Sequence, residues 1–169
     1  MPDYIFNTTA LSNFAAVGRL DLLAERYRGQ VFTTLEVSDE LRRGFKAGYP
    51  YLEAAWQQLE TIGSAGWLRI LGPESAAEHR WRAELNELLD PGEASCLALA
   101  VSRQLTFVTD DLAARRLAKS RNVPLTGTVG ILIALVRRQR LLLDEANQIL
   151  VVMIQRRYRA PVDRLDDLI

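Results

Sequence analysis

Short apolar runs alternate along the whole chain with longer segments of helical period, and few folds tolerate that alternation. Tyr4-Ile5-Phe6, Val31-Phe32-Thr33, Leu68-Arg69-Ile70-Leu71, Thr106-Phe107-Val108 and Pro124-Leu125-Thr126 read as strands. Helical spacing predicts helices over 8–17, 20–27, 35–43, 51–62, 76–89, 92–103, 112–121, 128–138 and 142–157, with Gly63 and Gly66 ending the fourth. Strands joined through helices pair in parallel and bury both faces. The expected fold is α/β, a three-layer α/β/α sandwich with a central parallel sheet.

The 169 residues, 49% hydrophobic and 25% charged, fit one domain over 1–169 with a real core. No repeat, low-complexity tract or linker interrupts them. Formal net charge is zero, so no global field draws the chain to nucleic acid or membrane. Yet 19 of the 21 basic residues are arginine, the side chain that grips phosphate bidentately. The single cysteine, Cys96, excludes an internal disulfide and a cysteine-cage zinc site, and reads as a core thiol. His79, the lone histidine, reads as a surface residue and excludes a histidine-pair ribonuclease. Trp56, Trp67 and Trp81 read as packing residues. No signal peptide and no apolar run of spanning length are seen, so a soluble cytoplasmic protein without membrane contact is expected.

In open α/β sheets, ligands bind outside the carboxyl ends of the strands. Asn7-Thr8-Thr9 follows the first strand and Asp110-Asp111 the fourth, while Glu36 and Glu40 lie on the helix after the second strand. Glu93 begins the helix before the fourth strand. Adjacent carboxylates at a strand–helix junction are costly: unit charges ~5 Å apart repel by ~3 kcal/mol at an effective dielectric of about 20. A divalent cation would compensate them, and carboxylates are what Mg²⁺ or Mn²⁺ accept.

Each residue also has a structural reading. Asp90-x-x-Glu93, with Pro91 at the first helical position, fits a capping box, and so does Thr33-x-x-Glu36. Glu40 alone reads as a solvated helix residue, and Asp39 can pair with Arg43. Asp110 could cap the next helix and Asp111 could pair with Arg115; Thr8 and Thr9 read as helix caps. A nucleotide-binding protein is disfavoured, because neither G-x-G-x-x-G after the first strand nor G-x-x-x-x-G-K-[ST] occurs. A phosphorelay receiver needs its acidic pair early, and here the pair is late.

In order along the chain stand Ile5-Phe6-Asn7-Thr8-Thr9-Ala10-Leu11-Ser12, Val37-Ser38-Asp39-Glu40-Leu41, Asp90-Pro91-Gly92-Glu93-Ala94 with Leu97-Ala98-Leu99-Ala100, Val108-Thr109-Asp110-Asp111-Leu112-Ala113-Ala114-Arg115, and Leu125-Thr126-Gly127-Thr128-Val129-Gly130-Ile131-Leu132. In that order these blocks resemble the PIN-domain ribonucleases, near the VapC-type toxins of toxin–antitoxin pairs. The resemblance spans 4 to about 143, leaving the last helix and tail, 142–169, outside it. It implies a PIN-like fold and a Mg²⁺- or Mn²⁺-dependent endoribonuclease, the toxin of a type II pair, leaving 5′-phosphate and 3′-hydroxyl ends. By the same resemblance Asn7, Glu40, Glu93, Asp110 and Asp111 form the catalytic set. Asn7, Glu93 and Asp110 or Asp111 would hold the metal, Glu40 would orient the water or a second ion, and Thr8 and Thr128 would support the site. Arg115, Arg116, Lys119 and Arg121 become candidates for RNA phosphate contact, although a solvated helix face is the competing reading for each. The implied partners are RNA, a cognate antitoxin and a second copy in a homodimer. The apolar segment Leu141–Ile154 would pack on the domain or serve such a contact.

The resemblance departs at its first ligand, where aspartate is expected and Asn7 stands. An amide oxygen is a neutral ligand, which weakens a charge-hungry Mg²⁺ site. An engineered inactivation, a natural degenerate site acting only by binding, and a site in which the remaining carboxylates suffice all stay open.

Overall fold

The computed structural model describes residues 3–62 and 66–169, so the predicted break at Gly63 lies outside them. Five strands form one sheet: β1 (Tyr4–Phe6), β2 (Val31–Thr34), β3 (Arg69–Leu71), β4 (Thr106–Val108) and β5 (Leu125–Thr126). Every pairing is parallel, in the order β3-β2-β1-β4-β5. The helices are α1 (Thr8–Ala16), α2 (Leu20–Tyr27), α3 (Leu35–Lys46), α4 (Tyr51–Trp56), α5 (Ala76–Leu85), α6 (Pro91–Arg103), α7 (Leu112–Ser120), α8 (Thr128–Arg137) and α9 (Leu143–Gln155). They cover both sheet faces, giving the expected three-layer α/β/α sandwich.

Burial explains the layers. β1 is the central strand with β2 and β4 beside it, and Ile5 and Phe6 of β1 and Phe107 and Val108 of β4 are fully buried. Helix α6 is apolar almost all round: Ala94, Cys96, Leu97, Ala98, Leu99 and Ala100 are buried, as a helix lying across three strands requires. Its Cys96 thiol donates to the Phe6 carbonyl (3.4 Å), and burial pushes its pKa up. Helices α1, α8 and α9 pack together on the other side.

The sheet order decides where a ligand can sit. From β1 the chain first builds outward through β2 and β3, then returns to place β4 on the other side of β1. The order reverses between β1 and β4, so a crevice opens beyond their carboxyl ends. Asn7 leaves one of these strands, and Thr109, Asp110 and Asp111 leave the other.

Several local expectations give way to tertiary structure. The helix predicted over 51–62 ends at Trp56, because Leu59 turns into a parallel bridge with Leu68 and is fully buried there. The helix predicted over 76–89 ends at Leu85. Thr34, not Thr33, caps α3, accepting from Val37 N (3.3 Å), while Thr33 donates to Phe6 O (2.8 Å). Glu36 pairs instead with Arg82 of α5 (3.0 Å). The Asp90–Glu93 capping box does not form, since Asp90 makes no side-chain cap bond. The box that does form is Ser75 with Glu78 at the start of α5, an S-x-x-E signal present in the sequence.

Candidate active site

Asn7 is 1% exposed and spends its amide inside the fold. Its Oδ1 caps α1, accepting from Thr9 N (3.1 Å) and Thr9 Oγ1 (2.8 Å). Its Nδ2 donates across the switch point to Thr109 Oγ1 (2.7 Å). Residue 7 is thus the cap expected of Thr8 or Thr9. Thr9 Oγ1 in turn accepts from Asp110 N (2.9 Å), and Thr109 Oγ1 from Asp111 N (3.2 Å). These hydroxyls lock the β1 and β4 exits together, a role that no spacing rule announces.

The two adjacent aspartates serve different helices. Asp110 reaches forward to α8: Oδ1 accepts from Thr128 N (2.9 Å) and Tyr158 OH (3.1 Å). Its Oδ2 accepts from Thr128 Oγ1 (2.5 Å) and Asn13 Nδ2 (3.2 Å). Asp111 caps α7, with Oδ1 accepting from Ala114 N (2.8 Å). The repulsion anticipated between them is met by hydrogen-bond donors at two helix N-termini. Asn13 and Tyr158 were not legible as site residues, since they come from a helix interior and from the segment after α9. Burial, then the Asp110 charge, raises the pKa of the Tyr158 phenol.

Glu40 is also engaged. Its Oε2 accepts from Thr8 Oγ1 and its Oε1 from Gly92 N (2.9 Å), so Glu40 supplies the cap that Asp90 does not. A Cβ on Gly92 would lie 2.5 Å from Glu40 Oε1, which makes this glycine a requirement of the approach. Gly127 answers the same need beside Asp110, with Oδ1 2.6 Å from where its Cβ would stand.

Glu93 remains. It is half-buried, and burial together with the Asp111, Asp90 and Glu40 charges pushes its carboxyl from 4.5 up to about 7. Glu93 and Asp111 line one cavity of about 400 Å³ with Glu87 and Asp90, and no basic side chain lines it. Among the described residues, no group of three or more carboxylate, histidine or cysteine side chains converges as a ready-made metal cage. Two carboxylates facing a groove nonetheless suit a hard cation, because Mg²⁺ keeps its waters and takes one or two carboxylates plus substrate phosphate.

The predicted basic contacts separate. Arg115 Nη1 donates to the Thr109 (2.8 Å) and Thr126 (3.3 Å) carbonyls, tying the β4 and β5 ends instead of pairing with Asp111. Arg121 lies over the Trp81 ring at 4.4 Å, so it packs α7 on α5 and is removed from the rim. Arg116 and Lys119 are exposed on α7. At 1.5 Å per residue, Lys119 stands roughly 12 Å along the helix from Asp111.

A parallel sheet with carboxylates beyond the carboxyl ends of β1 and β4 defines an open α/β protein whose ligand site lies at its switch point. A family model described as DUF3368: PIN domain matches residues 3–169, and the chain belongs to that PIN-domain family. PIN domains are generally metal-dependent nucleases. The crystal structure of PAE2754 from Pyrobaculum aerophilum is similar, with a TM-score of 0.54 and 16% identity, over 80% of this chain and 98% of that one. At that identity the likeness speaks for the fold alone. The comparison with curated proteins gives no match. No helix among the described residues is long and apolar enough to cross a membrane.

Proposed function

We propose that the chain is a Mg²⁺- or Mn²⁺-dependent endoribonuclease, the toxin of a type II toxin–antitoxin pair, with activity weakened by Asn7. One observation carries the reading: Glu93 and Asp111 share an acid-lined groove whose negative charge no basic side chain offsets. Glu93 and Asp111 would hold the cation; bound there, it supplies charge neutralisation at a phosphoryl oxygen and a more acidic water.

The other residues position this pair. Asp110 pins the α8 N-terminus and Asp111 the α7 N-terminus, fixing the rim. Glu40 ties α3 to the start of α6, and so sets where Glu93 stands one residue beyond Gly92. Asn7 aligns the β1 and β4 exits but adds no charge to them.

The second reading, a PIN-like module that binds RNA or protein without cleaving, draws on the same Asn7, whose amide oxygen and nitrogen both bond within the fold. The Asn7→Asp variant separates the two. On single-stranded RNA with Mn²⁺, the nuclease reading expects cleavage to rise at least tenfold over the native chain, leaving 5′-phosphate ends. No rise favours the binding module.

A cognate antitoxin and a homodimer belong to the proposal. Exposed apolar side chains at Leu142, Val151 and Val152, on and beside α9, supply area for such contacts. Sedimentation of the chain alone and with the product of a neighbouring small reading frame tests them.

A further inference from the structure

Asp111 lines two cavities. One is the acid-lined groove shared with Glu93; the other, about 680 Å³, lies toward α8 and is bounded by the α7 and α8 N-termini and by residues 158–161. The larger cavity has a different chemistry. Leu112, Val129 and Pro161 give it apolar walls, and Arg115 and Arg159 bring positive charge. Tyr158 adds an aromatic ring, fixed in place because its hydroxyl donates to Asp110 Oδ1 (3.1 Å).

Two of these residues have no structural account. Leu112 is the first residue of α7, directly after Asp111, and is 68% exposed. Arg159 is exposed and, among the described residues, enters no ion pair. An apolar and aromatic slot with a free guanidinium at its mouth matches an unstacked base with its phosphate. Single-stranded RNA is recognised by splayed bases packed on such side chains while cations follow the backbone. The carboxylate of Asp110, which also lines the slot, already accepts from four donors, so its charge is partly met.

We propose that this cavity is a base-binding subsite for single-stranded RNA, holding one nucleobase between Leu112, Val129, Tyr158 and Pro161, with Arg159 on its phosphate. It rests on the ribonuclease reading and adds the element that reading lacks, a device that sets which phosphodiester lies over Glu93 and Asp111. Because Asp111 divides the cavities, a strand crossing it places a base on one side and the scissile phosphate on the other.

The test is an abasic scan. A fluorescein-labelled RNA hexamer and versions with one abasic nucleotide at each position are titrated with the full chain in EDTA, so that binding is read without cleavage. Removing the base at one position weakens native binding about tenfold, the size usual for base stacking on a protein. In a Leu112→Ala/Arg159→Ala variant, that penalty falls below about threefold. A flat scan in the native chain, or an equal penalty in the variant, overturns the subsite. Mn²⁺-dependent cleavage of the same hexamer, measured separately, tells the failures apart. Cleavage with a flat scan removes the subsite and leaves the nuclease; neither binding nor cleavage removes both.

Discussion

At the scale of single residues, the candidate site consists largely of side chains that also hold the fold. Asn7 is a helix cap and an interstrand tie, and aspartate would serve as well in both roles. Thr9 would still donate to Oδ1, and the Thr109 hydroxyl would reverse to donate instead of accept. Asn and Asp are near-equal caps, but a carboxylate at a position 1% exposed loses hydration, so Asn7→Asp should unfold more easily than the native chain in metal-free urea, recover with Mn²⁺, and gain metal-dependent cleavage. Asp110 and Asp111 should separate in the opposite way. Asp110→Ala leaves the Thr128 amide and Tyr158 hydroxyl without an acceptor, at roughly 1–3 kcal/mol for each buried donor left unpaired; its thermal midpoint should fall clearly. Asp111→Asn keeps the α7 cap and should lower Mn²⁺ affinity far more than stability. The strand-end residues could be read in the sequence because an apolar run gives way abruptly to Asn7 or to Asp110-Asp111. Their partners could not, since Asn13, Thr128 and Tyr158 reach Asp110 from elements far apart in the chain.

At the scale of elements, α5 is latched to α6 by a buried acid. Glu78, 6% exposed, accepts from Arg103 Nε (2.8 Å) and from the Glu74 (2.7 Å) and Ser75 (3.4 Å) amides. Hydrogen bonding from Arg103 leads in lowering its carboxyl from 4.5 to about 2. A lowered folded-state value contributes stability that is complete above about 4.5 and is lost as pH falls toward about 2. Denaturant melts of Glu78→Gln should therefore lie below native at pH 7 and converge with it near pH 2. The helix ends carry a second consequence. Gln104, Asn122, Gln139 and Arg157, which follow α6, α7, α8 and α9, all have positive φ (56°, 55°, 57° and 77°). Glycine is the usual residue there; its absence removed the stop signal, and the predicted ends of α7, α8 and α9 run one or two residues long. Arg157→Gly should stabilise the chain by up to about 1 kcal/mol in thermal or urea unfolding. The strand–helix alternation was legible because each element carries its own apolar period. The end of α4 was not, because Leu59 is drawn out of the helix by its bridge to Leu68, a contact that local spacing does not encode.

At the scale of the whole molecule, the sheet order concentrates acid where β1 and β4 diverge, at a cost in stability. Glu93 illustrates the cost. Its folded-state carboxyl, raised to about 7 from 4.5, makes the fold less stable as pH rises through that window, with the loss complete above about 7. Glu93→Gln should accordingly raise the unfolding midpoint at pH 8 and have little effect near pH 4. The same proton competes with a cation, so apparent Mn²⁺ affinity should climb with pH up to about 7. If Glu93 and Asp111 recruit a divalent ion together with RNA, electron paramagnetic resonance of Mn²⁺ registers it as loss of the free-ion signal. Free Mn²⁺ is titrated with the native chain, with and without a phosphorothioate RNA hexamer, and with the Glu93→Gln/Asp111→Asn variant. Joint recruitment gives weak binding by the native chain alone, at least tenfold tighter binding with the RNA, and loss of both in the variant. Equal Mn²⁺ binding by native chain and variant, or an RNA that leaves the native affinity unchanged, would contradict it.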